Sequence, residues 1–231
     1  MRELVLDTET TGLEPAEGHR IVEIGAVELV NLMPTGRTYH QYINPERDMP
    51  TAAFEVHGLG DDFLRDQPVF ADIVDAFLEF LGDARLVIHN AAFDMKFINA
   101  ELEWQRRPPL PFERAFDTLT LARRKFPGSP ASLDALCRRF SIDNSARSKH
   151  GALLDSEILA EVYLELLGGQ QPDFALSNVP AASSQHGAPS TPLPRREAPL
   201  PPRLTAAERA AHDAFVENLG EAAIWRKYRD A

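Results

Sequence analysis

The segment ELVLDTETTG, residues 3–12, decides the fold, because an apolar run passes directly into two carboxylates. Residues 4–6 are Leu-Val-Leu, a composition typical of a buried strand. Side chains alternate along a strand, so Asp7 and Glu9 leave one face while Thr8 leaves the other. Two like charges held together repel each other, and a divalent cation with hard oxygen ligands relieves that repulsion. The segment therefore predicts a core strand that ends in a metal site.

Strand-like and helix-like patterns alternate around this segment over residues 1–168. We expect strands at 3–7, 21–30, 39–44 and 85–89, and helices at 70–81, 93–105, 115–125, 132–140 and 152–167. The helix from Phe70 is the clearest, since its apolar residues recur with the spacing of one buried face. Early strands followed by helix-strand crossovers predict an α/β domain with a mixed sheet and helices on its faces.

Composition limits how the chain meets its partners. With 231 residues and 44% hydrophobic content, it has enough apolar material for one full domain. Its net charge of -11 argues against broad phosphate neutralisation, which is typical of strongly basic proteins. Contact with DNA or RNA must therefore be local, or must use bound cations.

The chain carries no sequence signal for export or for a membrane. Its single cysteine, Cys137, lies in an apolar helical pattern, so we expect a core residue and no internal disulfide. There is no charged-then-apolar leader, and no apolar stretch approaches the roughly 18 residues of a membrane span. We expect a cytoplasmic protein with no membrane partner.

Composition changes after the predicted domain. Residues 169–204 are rich in proline, alanine, serine and glutamine, which predicts a flexible linker without a core. Structure should resume at residues 205–231, where Thr205 and Glu208 fit a capping box at a helix start. This C-terminal helix either folds back on the first domain or docks a partner in a groove.

Three further residues in separate segments extend the acidic pair. Asp94 lies in HNAAFD, while His150 and Asp155 lie in HGALLD. Taken singly, Asp94 is explained as a helix-start carboxylate, Asp155 as a solvated one and His150 as a loop histidine. Together with Asp7 and Glu9 they lie at the edges of predicted elements, where side chains from different segments converge.

The spacing of His150 and Asp155 separates their roles. Five residues turn about 500° around a helix, so the two side chains cannot share a helical face. His150 must therefore belong to the loop before the helix, and Gly151 gives that loop freedom. We expect the imidazole to lie over a metal held by Asp155 without being a ligand.

These motifs carry a family resemblance. DTETTGL, HNAAFD and the His150-x4-Asp155 pair resemble the three motifs of the DEDDh exonuclease superfamily, whose fold is RNase H-like. Over about the first 176 residues the chain is most similar to the epsilon subunits of bacterial DNA polymerase III, which are proofreading 3′-5′ exonucleases. The resemblance implies a mixed five-stranded sheet flanked by helices, in a domain over residues 1–168.

The resemblance also implies roles for the site residues. Asp7, Glu9 and Asp155 would hold two divalent ions, Mg²⁺ or Mn²⁺, with Asp7 between them and Asp94 assisting through water. His150 would be the general base in hydrolysis of a 3′-terminal nucleotide to a 5′-monophosphate. The metal-holding acids would therefore also bind substrate.

One histidine outside these motifs also has a counterpart in the family. His57, in AAFEVHGL, matches the family position that contacts the terminal nucleotide, with a packed loop histidine as the alternative. Two positions depart from the family pattern: Lys96 stands where relatives often have a small residue after HNAAFD, and Ala52 replaces a polar residue near the nucleotide pocket.

The region after the domain implies partners. Residues 171–176, QPDFAL, resemble peptides that bind the sliding clamp, although an ordinary linker start explains them equally well. The C-terminal helix, with Trp225, is similar to the tail that docks on the polymerase III alpha subunit. DNA with a frayed 3′ end is the expected substrate. A stand-alone DEDDh exoribonuclease and a non-catalytic adaptor are the alternatives.

Overall fold

The computed structural model describes residues 1–145, 147, 149–169 and 205–220. The chain divides into two compact units, residues 1–176 and 177–231. Apart from Gly169, the predicted linker and the clamp peptide at 171–176 lie outside the described residues, as does Trp225.

The first unit contains one five-stranded sheet. Its strands are β1 Arg2–Thr10, β2 Ile21–Val30, β3 Met33–Tyr42, β4 Arg85–Ile88 and β5 Ala115–Asp117. They lie in the order β3-β2-β1-β4-β5. The β1–β2 and β2–β3 pairs are antiparallel, and the β1–β4 and β4–β5 pairs are parallel. The expected mixed five-stranded sheet is confirmed.

Helices cover both faces of the sheet. In the first unit they are α1 Thr51–His57, α2 Asp61–Leu64, α3 Phe70–Leu81, α4 Ala91–Trp104, α5 Thr118–Lys125, α6 Leu133–Phe140 and α7 Ala152–Leu167. Helices α3 and α4 share a core with Leu4 and Leu6, while α7 shares another with Val5. The alternation of β1 side chains thus anchors this strand in both cores.

The second unit is described over one helix, α8 Ala206–Asn218. Its N-terminus has the predicted capping box: the Thr205 hydroxyl accepts a hydrogen bond from the Glu208 backbone, and the Glu208 carboxylate accepts one from the Thr205 backbone. Across the described parts of both units, no helix combines the length and apolar character needed to span a bilayer.

The structure corrects several sequence boundaries. β1 extends to Thr10, so Glu9 is a strand residue, and β3 begins at Met33 rather than 39. The predicted helix at 115–125 was wrong in its first three residues, which form β5 beside β4 before α5 begins. Helices α1 and α2 were not predicted. The bounds predicted for β2, α3 and α7 are confirmed.

Candidate active site

The sheet topology brings the acidic segments to one edge. β1 and β4 are parallel, so their carboxyl ends point the same way. Asp7 and Glu9 lie near the end of β1, and the chain leaves β4 through His89 and Asn90 into α4. Asp94 is in the first turn of α4. This edge therefore gathers carboxylates from segments more than eighty residues apart.

α7 supplies the remaining acid and rests directly on the sheet. Asp155 is in the first turn of α7 and is 3% exposed. The neighbouring Ser156 hydroxyl donates a hydrogen bond to the carbonyl oxygen of Gly25 at 3.0 Å. Gly25 pairs with Asp7 in the β1–β2 ladder. Gly25 of β2 is thus a contact between α7 and the sheet, next to Asp7 of β1.

A cavity of about 850 Å³ opens at this edge of the sheet. Five of the six site residues predicted from the sequence line it: Asp7, Glu9, Asp94, His150 and Asp155. His57 does not. The opposite wall is formed by α5, by the start of α6 and by the loop between them.

Three of the lining residues form a potential metal-binding group. One atom each of Glu9, His150 and Asp155 lies within 4.8 Å of the other two. Carboxylate oxygens are the ligands that hard divalent cations prefer, and imidazole nitrogen suits transition metals. The donor set therefore fits the divalent metal ions that the sequence resemblance implies.

Burial and the mutual repulsion of the acids' negative charges raise the pKa values of Asp7 and Glu9. Burial raises the pKa of Asp7 well above its ordinary value, and the nearby charges of Asp94 and Glu9 raise it further. Burial, followed by the charges of Asp155 and Glu23, raises the pKa of Glu9 to about 8. Two carboxyls that resist ionisation beside each other make a site where positive charge is strongly stabilised.

Asp94 is held from the other face of β1. Burial raises its pKa to about 7, against hydrogen bonds from Thr8 that lower it. The backbone N–H and the hydroxyl of Thr8 both donate to Oδ1 of Asp94. Oδ1 of Asp94 is thus held by β1, and the residue lines the cavity.

Asp155 is the acid that favours its charged form. Burial would raise its pKa, but hydrogen bonds from His150 and Arg147 outweigh burial and lower it. Nε and one terminal nitrogen of Arg147 donate to the two oxygens of Asp155 at 2.5 and 2.6 Å. Sequence reasoning missed Arg147, because a single arginine in a loop carries no local signal of this contact.

His150 lies in the loop before α7, as its spacing from Asp155 predicts. Its side chain is 47% exposed, and its Nδ1 is 3.3 Å from Oδ2 of Asp155. The backbone N–H of His150 donates to the carbonyl oxygen of Val56 at 3.2 Å, which fixes the loop against α1. The imidazole therefore lies beside the Asp155 carboxylate and lines the cavity.

His57 is the last residue of α1 and is 6% exposed. Its Nδ1 accepts a hydrogen bond from the backbone of Leu59 at 3.0 Å, and its buried Nε2 has no partner among the described residues. Burial lowers its pKa. Its place beside the His150 loop is compatible with packing and with substrate contact alike.

The two departures from the family pattern lie off the cavity wall. Nζ of Lys96 donates to the carbonyl oxygen of Leu13 at 3.1 Å and to Glu14 at 2.7 Å. Leu13 itself lines the cavity, so Lys96 supports the loop after β1 from behind. Ala52 is an exposed residue of α1.

Comparison with known proteins places the chain in a family. Residues 4–163 match the family model described as Exonuclease, RNase_T. DNA polymerase III subunit epsilon of Rickettsia felis is 57% identical over 179 residues, which cover 76% of this chain and 78% of the relative. The protein of the same name from Salmonella typhimurium is 46% identical over 239 residues, with 97% of each chain covered.

Solved structures share the fold. Exonuclease X in complex with 5′ overhanging duplex DNA is 26% identical, with a TM-score of 0.58 over 71% of this chain and 90% of that one. The nuclease domain of a DEDDh family member bound to rAMP is 21% identical, with a TM-score of 0.63 over 72% of this chain and 91% of that one. The chain therefore belongs to the RNase T exonuclease family and, within it, to the epsilon subunits of DNA polymerase III.

Proposed function

We infer that the chain is the proofreading 3′-5′ exonuclease subunit of the bacterial replicative DNA polymerase III. The single observation that carries this function is the cavity, in which Asp7, Glu9, Asp94, Asp155 and His150 meet. Similarity to epsilon subunits over nearly the whole chain supports the same function. Working with this polymerase, the protein would be cytoplasmic.

The acids would hold two divalent metal ions, Mg²⁺ or Mn²⁺. Asp7, Glu9 and Asp155 would be the ligands, and Asp94 would assist through water. When bound, such ions neutralise the phosphate and make water a better nucleophile. The closeness of Glu9 and Asp155, and the raised pKa of Asp7, support this assignment.

The chain's own residues position the substrate and move the proton. His150 is the general base: its exposed imidazole accepts a proton from the attacking water, a role worth about 10²- to 10⁴-fold in rate. Asp155 stays ionised beside it and favours the imidazolium that forms. The released product is a 5′-nucleoside monophosphate, and His57 contacts the terminal nucleotide.

Mismatched ends are the preferred substrate, because a mispaired terminus separates from its template at a lower free-energy cost than a paired one. A stand-alone exoribonuclease would share the metal ligands. The alignment with an epsilon subunit over 97% of the chain, including its tail, favours the polymerase subunit. A tether and a tail also suit a subunit of a complex, because tethering raises the effective concentration of the exonuclease domain at its partner.

The experiment compares matched DNA and RNA oligonucleotides. Purified protein with Mg²⁺ or Mn²⁺ should shorten single-stranded DNA from its 3′ end, and chelator or Asp7→Ala should abolish the reaction. Asp62→Ala is the matched control, because the Asp62 side chain is fully exposed on α2, outside the cavity. Activity that survives Asp7→Ala in chelator, or faster degradation of the RNA oligonucleotide than of the DNA oligonucleotide, would contradict this function. An inactive wild-type protein that still binds polymerase would indicate the adaptor.

Polymerase and clamp contacts are assigned to the region after the domain. Residues 205–231, which begin with α8, would dock on the polymerase III alpha subunit, and residues 171–176 on the sliding clamp. A chain ending at Leu204 should lose binding to the alpha subunit in a pull-down and keep nuclease activity. Replacing Phe174 and Leu176 with alanine should weaken clamp binding, with Asn178→Ala as control. Retained binding in either test contradicts that contact.

A further inference from the structure

Among the described cations that line the cavity, Arg147 makes the most hydrogen bonds to other side chains. Its side chain is only 8% exposed. Nε and a terminal nitrogen donate to both oxygens of Asp155, and the other terminal nitrogen donates to Oδ1 of Asp134 at 2.7 Å. A bidentate pair of hydrogen bonds from a guanidinium to one carboxylate is among the strongest charge-assisted contacts.

The same guanidinium also contacts His150. A terminal nitrogen of Arg147 lies 2.7 Å from Nδ1 of His150. The same nitrogen donates to Oδ2 of Asp155 at 2.6 Å, and Nδ1 of His150 lies 3.3 Å from that oxygen, so the guanidinium and the imidazole meet at one carboxylate oxygen. Arg147 therefore touches a carboxylate and an imidazole that both belong to the group of potential metal ligands.

Asp134 anchors Arg147 outside that group. Asp134 lies in the first turn of α6 and also accepts a hydrogen bond from the side chain of Asn144 at 3.1 Å. Asp134 on α6 thus holds the Arg147 guanidinium in the position from which its other donors reach Asp155 on α7. A divalent cation on the Asp155 oxygens adds two positive charges beside a fixed guanidinium, and in a partly buried site that repulsion is weakly screened.

We propose that Arg147 is a positioning residue that orients Asp155 and competes with divalent cations for its carboxylate, so that it sets the cation concentration at which the site fills. This inference rests on the proposed function only in treating Asp155 as a metal ligand. Arg147 holds the acid in place, and cation binding displaces the guanidinium from Asp155 while Asp134 keeps it at the cavity wall.

The test measures Mn²⁺ binding to the full chain by titration calorimetry at fixed ionic strength, without nucleic acid. Arg147→Gln should lower the Kd for Mn²⁺ by about tenfold, equal to about 1.4 kcal/mol. The same variant should lower the Tm in chelator and show a larger gain in Tm on Mn²⁺ addition than the parent chain. Arg147→Lys keeps the charge and loses the fork, so its Kd should lie between.

Arg123 provides the matched control. It lines the same cavity from α5, is exposed, and forms no ion pair with another described residue. Arg123→Gln removes the same charge without touching Asp155, and should change the Kd by less than about twofold, because an exposed charge is screened by salt.

An unchanged or higher Kd in Arg147→Gln overturns the inference, as does an equal decrease in Arg123→Gln. If Arg147→Gln fails to fold, an unchanged or higher Kd in Arg147→Lys overturns it. The outcome is separate from that of the proposed function. A wild-type chain that degrades DNA while Arg147→Gln leaves the Kd unchanged refutes the inference alone. A lower Kd in Arg147→Gln, together with a wild-type chain that has no nuclease activity, refutes the function alone.

Discussion

Thr8 donates two hydrogen bonds to the same oxygen of Asp94, from its backbone N–H at 3.0 Å and from its hydroxyl at 2.8 Å. The two residues are 86 positions apart, and these contacts join β1 to the first turn of α4. Thr8 thus places an acid of α4 at the edge of the strand that carries Asp7 and Glu9.

Replacing Thr8 with valine tests this contact. Thr8→Val keeps the shape of the side chain and leaves Asp94 with one donor fewer, so we expect a loss of about 1–3 kcal/mol in the free energy of unfolding. The rate of 3′-end hydrolysis should also fall, by roughly tenfold, since misplacement of a site group is costly. Thr8→Ser keeps the hydroxyl and should retain most of both. Parental activity in Thr8→Val would refute the positioning role.

The stability of the protein in chelator should fall as the pH rises. The pKa of Glu9 is raised from 4.5 to about 8, and that of Asp94 from 3.8 to about 7. The folded state therefore keeps protons that the unfolded chain releases, so stability is full below the ordinary pKa values and is lost as the pH approaches about 8. Urea unfolding between about pH 4 and pH 9 measures this. Stability that rises across this window contradicts the pKa shifts.

Removing the charge of Glu9 should separate stability from activity. Glu9→Gln abolishes a buried ionisation, so in chelator at about pH 8 we expect it to stabilise the fold by roughly 1–3 kcal/mol, with a flatter pH dependence. Hydrolysis should be lost, because Glu9 is a ligand in the proposed metal site. Glu79→Gln, at an exposed position of α3, should change neither quantity. A Glu9→Gln protein that is both less stable and active contradicts the account.

Gly25 should tolerate no side chain. A Cβ at this position would lie 2.2 Å from the backbone of Ala152 and of Leu153 in α7. Gly25→Ala must push α7 away from β2, and we expect a loss of about 3 kcal/mol or more, together with displacement of Asp155 and loss of activity. Gly151→Ala is the steric control, since a Cβ there meets nothing within 4 Å. Thermal unfolding compares the two, and equal Tm values would contradict the close packing.

The sequence predicted the parts of the fold that leave a local pattern. Residues 21–30, 70–81 and 152–167 form elements with the expected bounds, because buried positions recur along them at the period of a strand or a helix. β3 was predicted too short, since residues 33–38 are exposed and show no alternation. Short elements such as α2 and β5 offer too few residues for a period to appear.

In the site, too, the residues in recognisable motifs could be predicted and those placed by tertiary packing could not. Asp7, Glu9, Asp94, His150 and Asp155 could be selected from motifs, and they line one cavity. Arg147 could not, because its partners Asp134 and Asp155 are brought to it by the packing of α6 beside α7 rather than by sequence spacing. The contact of Thr8 with Asp94 could not be predicted either, because it depends on the packing of α4 against β1.

Anomalous diffraction from crystals soaked in Mn²⁺ and a 5′-nucleoside monophosphate tests the central claim most directly. The account predicts manganese peaks within coordination distance of Asp7, Glu9 and Asp155, with the phosphate between them and His150 at its edge. Ordered nucleotide with no manganese at these carboxylates, or manganese bound only elsewhere, would contradict it.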